Sequence, residues 1–289
     1  MNDLDEVFDT YNRKTTEYNK EEWIEYKKQE KEDIYKLIDT TAEEIVSDNK
    51  KFKQYLDVQS KFDQYSVGNT LLITAQMPNA TVLKDFEGWK NVGGYLNKHR
   101  TEVKILEPGD EYMREDGSVG TIYNVKKLYD ISQVKTRQKM KTMRYEEKLL
   151  LKVLLNCSTA DVQVVDQIGN TSRSAFYSDA EDKLYIARGA EAPKIFHEVT
   201  KELARSEIRD NSALGEFKSY CVSYMLCKKY NIDISNYNIN VPFELRNMGA
   251  RTIRDELEPM HDAIETINSR MTNYLDRISK ENKQRANVR

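Results

Sequence analysis

Phe196-His197-Glu198-Val199-Thr200-Lys201-Glu202-Leu203 is the stretch on which the fold of this chain turns. It stands one residue away from H-E-x-x-H, in which two histidines four apart lie one above the other on a helix and grip one metal ion. The intervening glutamate of that pattern activates the metal-bound water. Here the fifth position is Lys201, whose ammonium carries three donors and no lone pair and cannot ligate zinc. A metal-binding frame with one ligand replaced by a positive charge is what these eight residues describe.

The spacing predicts a motif helix over about 191–208 and a second helix over about 213–230, which carries Glu216. In the zincin metallopeptidases that this helix pair resembles, a later helix supplies the third ligand, and Glu216 falls in that place. His197 and Glu216 are thus the candidate metal ligands and Glu198 the vestigial base. With Lys201 between them, the simplest electrostatic account puts the ammonium near the metal's place, paired with Glu216 or Glu198. That account predicts a pseudoenzyme: the fold without the peptidase chemistry, with no cofactor expected and zinc only in the alternative case of an active site of variant design.

Composition narrows the setting. The chain has 289 residues, 39% hydrophobic and 32% charged, with a formal net charge of −3. That near balance gives no global attraction to nucleic acid, so any such binding must come from a local patch. Cys157, Cys221 and Cys227 form no C-x-x-C pair and read as free thiols of a reducing cytoplasm. Met1-Asn-Asp-Leu-Asp-Glu-Val7 has neither the basic nor the apolar region of a secretory signal, and no apolar run reaches membrane-spanning length, so a cytoplasmic protein with no membrane partner is expected. Only 11 Gly and 5 Pro point to a largely helical chain.

Residues 1 to about 62 read as helix, rich in helix formers and free of Gly and Pro. A helix over Val67–Gln76 follows, then a short strand at Thr81–Leu83, a helical turn around Trp89, and a turn or close backbone approach at Gly93-Gly94. Strands are predicted at Val103–Leu106 and Gly120–Tyr129, with turns at Pro108-Gly-Asp110 and Asp116-Gly117. From Asn124 to Arg144 the charge is one-sided: Lys126, Lys127, Lys135, Arg137, Lys139, Lys141 and Arg144 face only Asp130. This reads as a linker over 132–143, either a plain solvated linker or an arm that contacts phosphates. Beyond it come a helix at Tyr145–Asn156, strands at Val162–Val165, Ala175–Tyr177 and Lys183–Ala187, the two motif helices, and a long helix from about 249 to 280 whose apolar stripe reads as core. His261 in that helix reads as a surface or packing residue, and His99 as solvent-exposed. The fold class is α+β: a helical extension over 1–44, helices on a small sheet over 45–131, the basic linker, and a mostly helical second domain with a small sheet over 144–289.

The front half carries the series Phe62-Asp-Gln-Tyr65-Ser66-Val-Gly-Asn69, Pro78-Asn-Ala80, Phe86-Glu-Gly-Trp89-Lys90, Val92-Gly93-Gly94, Val103-Lys-Ile-Leu-Glu-Pro108 and Tyr129-Asp130-Ile131-Ser-Gln133. In this order the motifs resemble the N-terminal single-stranded-DNA-binding domain of ArdC-type antirestriction proteins and their LtrC-like relatives on conjugative elements. The resemblance spans roughly residues 45–240. It implies a second, zinc-metallopeptidase-like domain, which agrees with the frame around His197, and an antirestriction protein of a mobile element with single-stranded DNA as partner. The chain departs from the family at Asn97-Lys98-His99-Arg100-Thr101-Glu102, where a basic turn keeps its charge but loses its glycines, and at Lys201.

The residues themselves suit a strand binder, which needs aromatic faces beside basic groups. Tyr65, Ser66, Asn69, Trp89, Lys90, Lys98, Arg100 and Lys104 are the candidate DNA-binding residues, with Tyr95 and Lys84 nearby; for Trp89 a place in the core is the competing reading. Two other functions stay open: an active zinc-dependent metallopeptidase with a variant site, and a direct protein inhibitor of a host restriction or defence nuclease.

Overall fold

The computed structural model describes residues 3–136 and 144–287. The first 45-residue helix, α1 (Asp3–Ser47), is about 68 Å long at the usual rise. It ends where the sequence reading ran one helix on to residue 62. Asp48 adopts an extended backbone, and its carboxylate accepts from the Lys50 and Lys51 N–H groups at 2.7 and 3.0 Å. The side chain thereby starts a new helix, α2 (Asn49–Lys61). Ser66 caps α3 (Val67–Gln76) in the same manner.

A three-stranded antiparallel sheet follows, built from β1 (Leu83–Lys84), β3 (Val103–Met113) and β4 (Val119–Asp130) in the order β1-β4-β3. α4 (Phe86–Asn91) and β2 (Tyr95–Leu96) lie between β1 and β3 in the chain. Pro108-Gly-Asp110 is no turn. The strand runs on through it with a bulge between Pro108 and Glu111, and the chain reverses at Asp116-Gly117, where Gly117 has φ +80°. β1 begins two residues later than expected because the Thr81 and Val82 N–H groups are bound by the Asp130 carboxylate at 2.7 and 2.9 Å. Gly93 takes φ +70°, and a side chain at Gly94 would meet Val134 Cγ1 at 2.8 Å, so both glycines are required.

The segment read as the start of a linker is structured. Ile131–Gln133 forms a 3-10 turn, and β5 (Val134–Lys135) pairs antiparallel with β2. Arg137, Lys139 and Lys141 lie outside the described residues. Then come α5 (Glu147–Asn156), β6 (Asp161–Val165), β7 (Ala175–Ser178) and β8 (Lys183–Ala187), forming a mixed sheet in the order β6-β8-β7. α6 (Ala192–Ile208), α7 (Ala213–Lys229), α8 (Phe243–Arg246) and α9 (Ala250–Asn287) complete the chain.

The main core joins both halves. Ile38, Ile45, Phe52, Leu56, Leu71 and Leu72 from the first three helices pack with Leu150, Phe196, Val222, Leu257 and Ile264. A smaller core under the first sheet holds Val58, Phe62, Ile73, Val103, Ile105 and Leu128. No described helix is long and apolar enough to cross a membrane. The three cysteines are free thiols; Cys221 and Cys227 are buried, and burial pushes the Cys227 thiol up to about 12.

Candidate functional site

α6 carries the motif, and α7 packs along it. The connection between them is tight: Arg209 ends α6 in the left-handed region, Ser212 caps α7, and a side chain at Gly215 would strike the Asp210 carbonyl at 2.0 Å. This closeness brings Glu216, in the first turn of α7, against Lys201. The Lys201 ammonium lies 2.7 Å from Glu216 Oε2. Lys201 is 32% and Glu216 47% exposed, so solvent screens the pair and its net stabilisation is small. Of the two partners that the sequence offered to Lys201, the structure pairs it with Glu216.

Glu198 does something else. Its Oε2 accepts the Ala175 N–H at 3.0 Å and also the Ser174 N–H. Glu202, one turn on, accepts the Tyr177 N–H at 3.0 Å, and Arg205 donates to the Tyr177 carbonyl. β7 is an edge strand, bonded to β8 on one side. Its other side is served by these three side chains of α6. Residues at i, i+4 and i+7 of one helix face thus satisfy backbone groups that would otherwise lack partners.

His197 sits against Tyr237, with ring centroids 5.1 Å apart. Its Nε2 is buried and has no hydrogen-bond partner among the described residues. Behind it runs a hydroxyl cluster. Tyr237 Oη lies 2.5 Å from Ser223 Oγ, which lies 2.7 Å from Thr200 Oγ1 and donates to the His197 carbonyl at 2.8 Å. Burial pushes the Tyr237 phenol far above its ordinary value. His197, Glu198 and Lys201 line an open pocket of about 300 Å³ with Lys194, Tyr220, Ser223, Asn236 and Tyr237. The last five escaped the sequence reading. Ser223 is seven residues beyond Glu216 on the same helix face, a spacing that would have found it; Tyr237 comes from a loop and leaves no periodic signal.

The donor set does not fit a metal held in the H-E-x-x-H manner. One imidazole is available, the second ligand position holds an ammonium, the third carboxylate is paired with that ammonium, and Glu198 is turned to β7. Three converging donors, the least a structural or catalytic zinc uses, are not brought together here.

The front-half candidates separate. Tyr65, Ser66 and Asn69 line a cleft of about 560 Å³ between α3 and the β3–β4 sheet, with Lys84, Asp85, Glu107 and Lys126 on its walls. Lys126 is held by Asp85 at 3.3 Å and Glu107 at 2.6 Å, so among the described residues of the cleft Lys84, whose ammonium lies over the Trp89 ring, is the cation without a carboxylate partner. Asn69 clamps β3: its Nδ2 donates to the Leu106 carbonyl and its Oδ1 accepts the Leu106 N–H, both at 2.8 Å. Trp89 is 2% exposed and donates through Nε1 to the Tyr129 carbonyl at 2.8 Å, so it is a core anchor and offers no free stacking face. Lys104 is paired with the buried Glu30 at 2.8 Å. Burial raises the Glu30 carboxyl, but Lys104 and Lys27 outweigh it and hold it below its usual value. Lys90, Lys98 and Arg100 are exposed. Tyr95, three and five residues before the last two, is 74% exposed and lies directly across the β2–β5 pair from the exposed Lys135.

No protein-family model and no curated protein matches the sequence. Among solved structures, the metal-free form of the antirestriction protein ArdC from plasmid R388 matches with a TM-score of 0.47 and 15% identity, over 72% of this chain and 86% of that one. Its Mn(II)-bound form matches with a TM-score of 0.54 and 13% identity, over 82% of this chain and 98% of that one. The chain therefore has an ArdC-like α+β fold across most of its length, in agreement with the family its front-half motifs resemble.

Proposed function

We propose that the chain is an antirestriction-type protein of a mobile genetic element that works by binding single-stranded DNA, and that its zincin-like second domain is a peptidase frame without peptidase chemistry. The observation that carries this reading is the Lys201–Glu216 contact of 2.7 Å, which puts an ion pair where a metallopeptidase needs two ligands. ArdC of plasmid R388 has a Mn(II)-bound structure; in this chain the two helices of the motif frame are joined by charge. On this reading residues 45–131 carry the DNA, residues 1–44 extend them, and 144–289 form the retained frame.

Support for the DNA surface comes from Tyr95 with Lys98, Arg100 and Lys135: an exposed aromatic face within a set of exposed cations, the combination that binds single strands without sequence preference. Anisotropy of a labelled oligonucleotide tests it. Binding that weakens steeply with salt is expected; no binding at low salt would sink the reading. Peptidase loss is tested with a casein-type substrate and added Mn(II) or Zn(II), where no turnover is expected.

One observation favours a second reading, direct inhibition of a host defence nuclease. Trp23, Ile24 and Tyr26 on α1 are 60%, 51% and 57% exposed, a neighbourhood suited to a protein partner. A stable complex with a purified restriction nuclease in the absence of DNA would select it.

A further inference from the structure

We propose that the outer face of the second sheet carries a nucleotide pocket, with the base on Phe176 and Tyr185 and the phosphate at Arg173, separate from the His197 pocket and from the Tyr95 surface. Phe176 of β7 and Tyr185 of β8 lie directly opposite each other in the antiparallel pair, so their rings share one face. Leu184 and Ile186 belong to the main core, so Tyr185 between them points away from it. Val165, paired with Ala187, continues that outer face on β6. With Ile168 these side chains line an open cavity of about 480 Å³, within the range of about 300–1,000 Å³ usual for small-ligand sites.

The loop over 166–174 shapes the cavity and is held by its own turn. Gly169 takes φ +54°, the Thr171 N–H and hydroxyl both donate to the Ile168 carbonyl, at 3.3 and 2.7 Å, and Glu198 accepts the Ser174 N–H at the loop's end. Gln167 and Arg173 of this loop line the cavity, are exposed, and have no side-chain hydrogen bond or ion pair among the described residues. The neighbouring acids are engaged: Glu181 accepts from the Tyr185 hydroxyl, and Asp166 stands 3.8 Å from Arg188. The pocket thus offers two aromatic rings, a free amide and a free guanidinium. Aromatic rings stack on any base, an amide meets a base edge as donor and acceptor, and a guanidinium pairs with phosphate through two parallel hydrogen bonds. A purely apolar ligand would leave the amide and the cation unused. A free nucleotide and a nucleotide within a bound strand present the same chemistry to these groups.

The test uses the full chain, with saturation-transfer nuclear magnetic resonance titrations of deoxyadenosine monophosphate and of deoxyadenosine. Saturation of the base protons is expected, with the monophosphate binding more tightly than the nucleoside. Phe176→Leu keeps an apolar side chain but removes an aromatic face, so both ligands should weaken at least about fivefold, the low end of the worth of one stacked base. Arg173 is exposed, so Arg173→Glu spares the fold; it should bring the monophosphate down to the nucleoside's affinity or below. Tyr95→Ala should leave the monophosphate unchanged. A single-stranded dodecamer separates the sources: weakening by both pocket variants puts the nucleotide in a bound strand, and no weakening assigns the pocket to free nucleotide. The proposal is overturned if the wild-type chain binds no monophosphate, or if Arg173→Glu or a Phe176→Leu chain that circular dichroism shows to be folded binds it undiminished. A dodecamer that fails to bind at low salt would sink the strand-binding reading and leave the pocket to be decided by the monophosphate.

Discussion

Replacing Glu198 separates a catalytic base from a structural cap, because the two roles predict opposite effects on stability. As a cap, Glu198 receives two backbone N–H groups through one oxygen, Oε2, from Ser174 and Ala175, both of which are 2% exposed. In Glu198→Ala these buried donors lose their acceptor, at about 1–3 kcal/mol each. Water entering the space left by the side chain offsets part of that, giving about 2–4 kcal/mol in all. With unfolding entropy of about 2.1 cal/mol/K per residue over 289 residues, the melting temperature should fall by about 3–7 °C. Glu198→Gln keeps an oxygen in the same place and loses only the charge, so about 1 kcal/mol and a fall of about 2 °C are expected. Thermal melts of the two variants by circular dichroism measure both. A Glu198→Ala melt within 1 °C of wild type, or a Glu198→Gln chain that melts normally but loses peptide hydrolysis, would refute the cap and restore the base.

The remaining predictions concern the surface, the acid limit and the lysine. Tyr95→Ala should weaken oligonucleotide binding by about 1–3 kcal/mol, the usual worth of one stacked base, while Trp89 emission stays unquenched because that ring is buried. If Lys98, Arg100 and Lys135 each meet a phosphate, log affinity should fall against log salt with a slope of about −2, and charge-reversed Lys98→Glu should flatten it. Burial raises the Asp130 carboxyl, but N–H bonds from Thr81, Ser132 and Val82 prevail and hold it below its usual value. The stability it contributes is therefore present above the unfolded carboxylate range and is lost as pH falls through the lower folded value. Asp130→Asn should lower the melting temperature at pH 7 and show a shallower decline between about pH 4 and pH 2, followed by thermal melts across that range. Lys201→His should gain Mn²⁺ binding, since it frees Glu216 and restores the second imidazole; no gain would show that the frame has drifted beyond one residue.

Much of this fold was legible because local signals and packing agree. Val67–Gln76 is an apolar run behind a capping serine, and both halves of the signal survive in the structure. The long helix of the C-terminal part announced itself by its stripe, whose members Leu257, Met260, Ile264 and Ile267 are all buried. Asp48 was missed because one acid in a run of helix formers looks like any other until its backbone turns extended. Pro108-Gly109 misled for the opposite reason: a strong turn pair was absorbed as a bulge by the pairing on either side of it. At the site, a pairing of Lys201 with Glu216 or Glu198 followed from charge and spacing, and the packing of α7 decides for Glu216. That Glu198 caps the edge of β7 depended on where the sheet edge falls, and no spacing along one helix reports the position of a strand. Trp89 and Asn69 belong to the same class, with polar groups spent on Tyr129 and Leu106 across the sheet.

The edge of β7 has a consequence for any peptide brought to this pocket. An extended chain recruited by main-chain pairing needs free N–H and C=O groups along the strand that receives it. Ala175 and Tyr177 already donate to Glu198 and Glu202, and the Tyr177 carbonyl already accepts from Arg205. A substrate would have to displace two carboxylates and a guanidinium of the chain's own before it paired with anything. Among the described residues the opposite edge of that sheet, β6, has no such cover, and its Val162 and Val164 are 37% and 52% exposed. Strand recruitment has been closed on the side that faces the motif helix and left available on the side that faces away from it.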